Sequence, residues 1–294
     1  MTEAQAAATT DEWASAHLPV VVGVDGSEGS RSALAWAADE AGRAGADLRV
    51  AIAAGYHRRF GHGRQQAEKT VTAMAAEATR VVPVEQVSHA VYDGPPETAL
   101  LEHLDDARLL VIGKRGLGTL GRLFVGSVSL AVAGRSPVPV AVVPTGWDQA
   151  AHLTGPLVVG VEPDQPNHHL LHLALHRAER LGVPVVAVHG WEAPSAEPTD
   201  GAPIAGEAEA HARFEETVST WRERFPDVEV GVRTSSSHPA LAVLQEAEAA
   251  GAQLVLLGRH HSNRFAGFGF GSVTRAVLHY TEVPVLVVPT DDDA

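Results

Sequence analysis

Cysteine is absent from the 294 residues. Disulfides, thiolate catalysis and cysteine-ligated zinc are therefore excluded, and a reducing compartment fits. Aromatic residues make up only 5%, which leaves packing to alanine, valine and leucine, as suits α/β layers. Positive charge is in deficit: Lys and Arg number 22 against 36 Asp and Glu, for a net charge of −14. That balance argues against broad nucleic-acid or anionic-membrane binding, while leaving room for one local phosphate site. No apolar run reaches the roughly 18 residues that a membrane-spanning helix needs. Residues 1–17 lack a basic start and an apolar segment, so they are expected to form a mobile tail, not a signal peptide. The expected location is cytoplasmic.

The length suggests two domains, and an apolar content of 45% is ample for two cores. Short apolar runs alternate with helical spacing. Strands are expected over Pro19–Val24, Leu48–Ala54, within Val81–Ala90, over Leu109–Ile112 and over Val138–Val143. Helices are expected over Ser30–Ala44, residues 64–79, Glu97–Asp106 and Val128–Ala133. Such alternation implies βαβ units and a parallel sheet covered on both faces. The pattern then repeats. The run from Pro19 to Asp25 returns from Pro156 to Glu162, Val50–Tyr56 as Val185–Trp191, Leu109–Gly113 as Leu254–Gly258, and Val138–Thr145 as Val283–Thr290. A unit this long is a domain duplication, not a solenoid. The Ala/Pro/Glu/Gly stretch from Trp191 to Gly206 reads as a mobile loop, and the acidic end as a solvated tail.

The stretch richest in chemistry follows the fourth strand. Gly113 opens a glycine-rich loop that leads to Gly126-Ser127 and a helix, with Ser127 the expected N-cap. Glycines admit close backbone approach, and a helix N-terminus favours an anion. Lys114 and Arg115 add positive charge, and Arg122 lies further along. Arg115 and Arg122 either screen phosphate or are merely solvated. The run Gly116-x-Gly118-x-x-Gly121 fits a dinucleotide fingerprint, but the next strand lacks the acid that fingerprint requires. No Walker A loop is present.

The spacing Gly113-x2-Gly116-x9-Gly126-Ser127 resembles the nucleotide loop of the universal stress protein family in its ATP-binding branch, and the chain as a whole resembles a tandem member of actinobacterial type. The resemblance implies two flavodoxin-like or Rossmann-like α/β domains, residues 18–147 and 155–290, each a five-stranded parallel sheet with helices on both faces. It implies ATP as ligand, with Mg²⁺ as a possible companion, and AMP or cyclic AMP as alternatives. It carries ligand-binding roles onto Gly23, Val24 and Asp25 beside the adenosine, Gly55 beside adenine, Ile112, Gly113 and Gly116 along ribose and phosphates, and Gly126, Ser127 and Val128 at the terminal phosphates. Asp25 has a second reading, as an Asx turn opening the first helix. The resemblance also implies dimerisation, either between two chains or between the two domains of one chain, through the last strands.

The second half departs from the pattern. Gly258, Gly271, Ser272 and Val273 keep the spacing, but His261 stands where Gly116 stands and Glu162-Pro163 replaces Asp25-Gly26. Weak or absent binding is expected there; the other reading makes His261 a phosphate contact. His168, His172 and His176 share one helix face, which reads as solvated in preference to metal-binding. The functional expectation is a nucleotide-dependent regulatory module of the stress response. A slow ATPase and a nucleotide-free scaffold are the alternatives.

Overall fold

The computed structural model describes residues 18–55, 63–115, 125–163, 168–191, 207–259 and 271–289, excepting the side chains of Glu207 and Ala210. The first half runs β1 (Val20–Val24), α1 (Glu28–Ala44), β2 (Leu48–Ala53), α2 (Arg64–Ala78), β3 (Val87–Tyr92), α3 (Pro96–Leu101), β4 (Leu109–Gly113), α4 (Ser127–Arg135) and β5 (Val140–Val143). The second half repeats it with β6 (Leu157–Gly160), α5 (His168–Leu181), β7 (Val185–Gly190), α6 (Glu207–Arg224), β8 (Val230–Ser235), α7 (Pro239–Ala249), β9 (Leu254–Arg259), α8 (Ser272–Tyr280) and β10 (Val285–Pro289). Each half is a parallel sheet, and the two join into one ten-stranded sheet of order β3-β2-β1-β4-β5-β10-β9-β6-β7-β8. The single antiparallel step is β5 against β10, with Ala141 opposite Leu286.

Valine-rich strands buried on both faces need cover on both. One face carries α1, α2, α5 and α6, whose apolar sides form a core cluster continuous across both halves. The other carries α3, α4, α7 and α8. The ends of α1 are set locally. Ser27 accepts the Ser30 amide at its N-terminus, and Gly45, at φ 62°, closes its C-terminus in the left-handed region that glycine tolerates best. No helix among the described residues is long and apolar enough to cross a membrane.

Three local expectations are corrected. The third strand starts inside the expected region, at Val87 after Pro83 and a 3₁₀ turn over Val84–Gln86, but runs two residues past its expected limit, to Tyr92. Helix α3 stops at Leu101, five residues short of the expected Asp106 end, although Leu104 is still fully buried. The duplication is also offset in the second strand. Val20 pairs with Leu48 and Leu157 with Val185, so Leu48, not Val50, is the equivalent of Val185. In a run of interchangeable small aliphatics, neighbouring strands fix the register, not local likeness. The expected tail (1–17), the loop after Trp191 and the acidic end lie outside the described residues.

Candidate functional site

At the carboxyl ends of β1, β2 and β4 a cavity of about 240 Å³ opens between α3 and α4. Open parallel sheets place ligands at this edge. One wall is apolar, from Ala51 and Ala53 of β2, Leu100 of α3 and Ile112 of β4; the other is polar, from Asp25, Arg115, Ser127 and Ser129. Gly23 sits at the floor. A Cβ there would stand 2.9 Å from Leu100 Cδ1, so the missing side chain leaves the space open.

Asp25 leaves β1 into a tight turn. Its Oδ1 accepts the Ser27 amide at 2.9 Å, and Gly26 adopts φ 85°. Ser30 Oγ in turn donates to the Ser27 carbonyl at 2.9 Å. The Asx-turn reading of Asp25 is therefore realised, and the same residue also lines the cavity.

The loop's two feet are tied together. The Gly126 amide donates to the Lys114 carbonyl and Ser129 Oγ to the Gly113 carbonyl, both at 2.9 Å. Gly113 is required by close packing: its Cβ would stand 2.6 Å from the carbonyl oxygen of Gly29, on the first turn of α1. Helix α4 starts one residue earlier than expected. Gly126, not Ser127, is the N-cap, and no side chain caps it. A glycine has no oxygen to offer, so the amides of Ser127, Val128 and Ser129 find no acceptor among the described residues. They form the positive end of the helix, directed at the cavity edge.

The structure brings Gly23, Val24, Asp25, Ile112, Gly113, Gly126, Ser127 and Val128 together around this cavity. Gly55 is not brought to it; it backs onto the Gly94 backbone. Gly116 and Arg122 lie outside the described residues, as does His261. Ala51, Ala53, Leu100 and Ser129 were not anticipated. A usable signal was the alternation Val50-Ala51-Ile52-Ala53, which puts two small residues on one face of a strand.

Lys114 points away from the cavity. Its side chain is buried, and Nζ donates to the Thr281 carbonyl at 2.5 Å, at the C-terminus of α8 in the other half. Burial pushes its ammonium below the usual lysine range, with Glu282 opposing and Arg115 reinforcing that shift. The equivalent Arg259 reciprocates, donating Nη1 to the Ser136 carbonyl at the C-terminus of α4, also at 2.5 Å. Each half thus clasps the end of the other's loop helix, as cations at helix C-termini favour.

The second half keeps the frame. Gly271 caps α8 without a side-chain bond, Ser272 and Val273 open the helix, and Thr274 Oγ1 donates to the Gly258 carbonyl at 3.4 Å, as Ser129 does to Gly113. By sheet register Val188 stands where Ala51 stands, and Gly190 where Ala53 stands. Gly190 is in close contact with Pro239, the first residue of α7; a Cβ there would lie 2.5 Å from Pro239 Cα. The three histidines of α5 border an aromatic seam instead of a bare solvated face. His168 and His172 lean on Trp221, and His172 and His176 meet Phe225 edge-on. No group of three or more metal-binding side chains occurs among the described residues.

A family model described as the universal stress protein family matches residues 18–144 and again 154–289. A universal stress protein of Mycolicibacterium smegmatis is 32% identical over 290 residues, covering 92% of this chain and 96% of its own. One from Mycobacterium tuberculosis is 31% identical over 287 residues, covering 91% and 96%. Among solved structures, a universal stress protein from Archaeoglobus fulgidus superposes with a TM-score of 0.70 over 96% of this chain and 100% of that one. At 19% identity, that likeness speaks to fold alone.

Proposed function

The chain belongs to the universal stress protein family, and from that premise we propose that its first half, residues 18–147, binds an adenine nucleotide and acts as a nucleotide-dependent regulatory module. The observation that carries this reading is the junction of two surfaces in one cavity. An apolar wall of Ala51, Ala53, Leu100 and Ile112 meets the first amides of α4, which have no acceptor among the described residues, and the carboxylate of Asp25. A ligand with a flat, weakly polar base, a hydroxylated sugar and an anionic tail matches that sequence of surfaces. The carboxylate accepts hydroxyl or amino donors, and the amides and helix dipole take the phosphates. ATP is the proposed ligand, with Mg²⁺ accompanying the triphosphate as counter-ion. In the second half, residues 155–290, Val188 in place of Ala51 and the Gly190–Pro239 contact narrow the equivalent space. This supports one competent site per chain.

The test is to release and count nucleotide from freshly purified full-length protein, then titrate ATP, AMP and cyclic AMP by calorimetry. One site per chain with ATP bound tightest is expected, and Asp25→Ala should abolish it. Saturation at two sites, or no binding at all, would overturn the reading.

A further inference from the structure

The seam between the halves lies on a pseudo-two-fold axis, because β5 and β10 are equivalent strands paired antiparallel. At such an axis a residue meets its own counterpart, while away from it contacts come in reciprocal pairs, as in the two clasps. The equivalence is fixed independently at several points. Gly23 and Gly160 occupy the same register position, and Gly45 and Gly182 end α1 and α5 with φ 62° and 64°. Val140 pairs with Leu110 as Val285 pairs with Val255, which makes Ala141 the counterpart of Leu286.

The counterparts that meet are complementary. Ala141 faces Leu286, small against large. Glu40 and Arg177, 137 residues apart and equivalent, form a two-pronged ion pair with both N–O distances 2.6 Å. Both side chains are largely buried, 10% and 13% exposed. The Arg177 guanidinium also lies 5.4 Å from the Trp36 ring centre. The counterpart of Trp36 is Leu173, which offers no such face. The reciprocal clasps differ in kind. Lys114 and Arg259 carry the same sign and bond to carbonyls, so they would serve like halves as well as unlike ones.

We propose that this seam is keyed for unlike halves, so that the first half takes the second half and refuses a second copy of itself. Two first halves would set buried Glu40 against Glu40 and leave a void between two alanines. Two second halves would oppose buried Arg177 to Arg177 and crowd two leucines. Glu40 would keep only its own Arg43, at 3.6 Å, and would lose the two-pronged bond to Arg177 while gaining a like charge; breaking a buried pair in this way is strongly unfavourable, and both void and overpacking cost stability. The clasps supply adhesion; the Glu–Arg and Ala–Leu pairs supply the choice of partner.

Full-length E40R and R177E make the seam residues alike within each chain. Each alone should melt lower than wild type by roughly 10 °C. Refolded together from denaturant, they should form a particle with one chain of each kind, seen by native mass spectrometry, because one of its two seams is then the wild-type pair. Melting of either single variant at the wild-type temperature, or a mixture that yields no two-chain particle, would overturn the proposal. Should both charge variants aggregate even when mixed, the size pair decides. A141L/L286A should melt above the value expected from adding the two single losses, and simple additivity would overturn the proposal.

Discussion

A methyl group at Gly113 would press on the Gly29 backbone carbonyl, which cannot move without dragging the first turn of α1. Gly113→Ala should therefore lower Tm by several degrees and abolish nucleotide binding, as calorimetry with and without ATP would show. Gly23 differs, because its nearest neighbour is the mobile end of Leu100. Gly23→Ala should leave Tm nearly unchanged yet weaken ATP about tenfold, a loss of about 1.4 kcal/mol, by filling the cavity floor. Asp25→Asn keeps an oxygen for the Ser27 amide, whereas Asp25→Ala removes it. Stability should hold in the first and fall by about 1 kcal/mol in the second, while ATP binding falls in both. These residues were legible because spacing and residue type announce them. Ala51, Ala53 and Leu100 were not, since a small or apolar residue becomes a wall only when another element comes opposite. The sequence offers Lys114 only as positive charge near the loop; where it goes was not legible, because its acceptor, the Thr281 carbonyl, belongs to the other half.

Strand and helix identity was readable from the alternation of short apolar runs with helical spacing, and the strand–loop–helix unit around Gly113 and Gly126 stood out most clearly. Ends and register were less so. Pro83 delays β3, and the β2/β7 equivalence depends on hydrogen-bonded neighbours that no single strand encodes. The helix termini carry a prediction of their own. Lys114→Met would leave the Thr281 carbonyl without its donor at the end of α8. It should cost about 1–3 kcal/mol in urea unfolding. It should leave ATP affinity intact, since the side chain faces away from the cavity. A parallel loss of affinity would place Lys114 at the ligand.

The α1/α5 face has one core running through both halves, so unfolding should appear as a single cooperative transition by calorimetry, not two. Acid should undo the seam. Burial by itself would raise the Glu40 carboxyl, but Arg177, with Arg43 and Arg108, overrides it and holds the group below the usual glutamate value of 4.5. A depressed carboxylate lends stability that is whole above its unfolded pKa and drains away as pH falls through the native one. Wild type should thus lose stability progressively below about pH 4.5, more steeply than Glu40→Gln, whose curve in pH-dependent urea melts should be flatter. The antiparallel join of β5 to β10 has one more result. Strands that run in parallel within each half run head-on across the join, so the carboxyl-end rims of the two half-sheets look toward opposite poles. Whatever docks at one pole stays out of reach of the other, and news of an occupied rim can cross the molecule only along its interior.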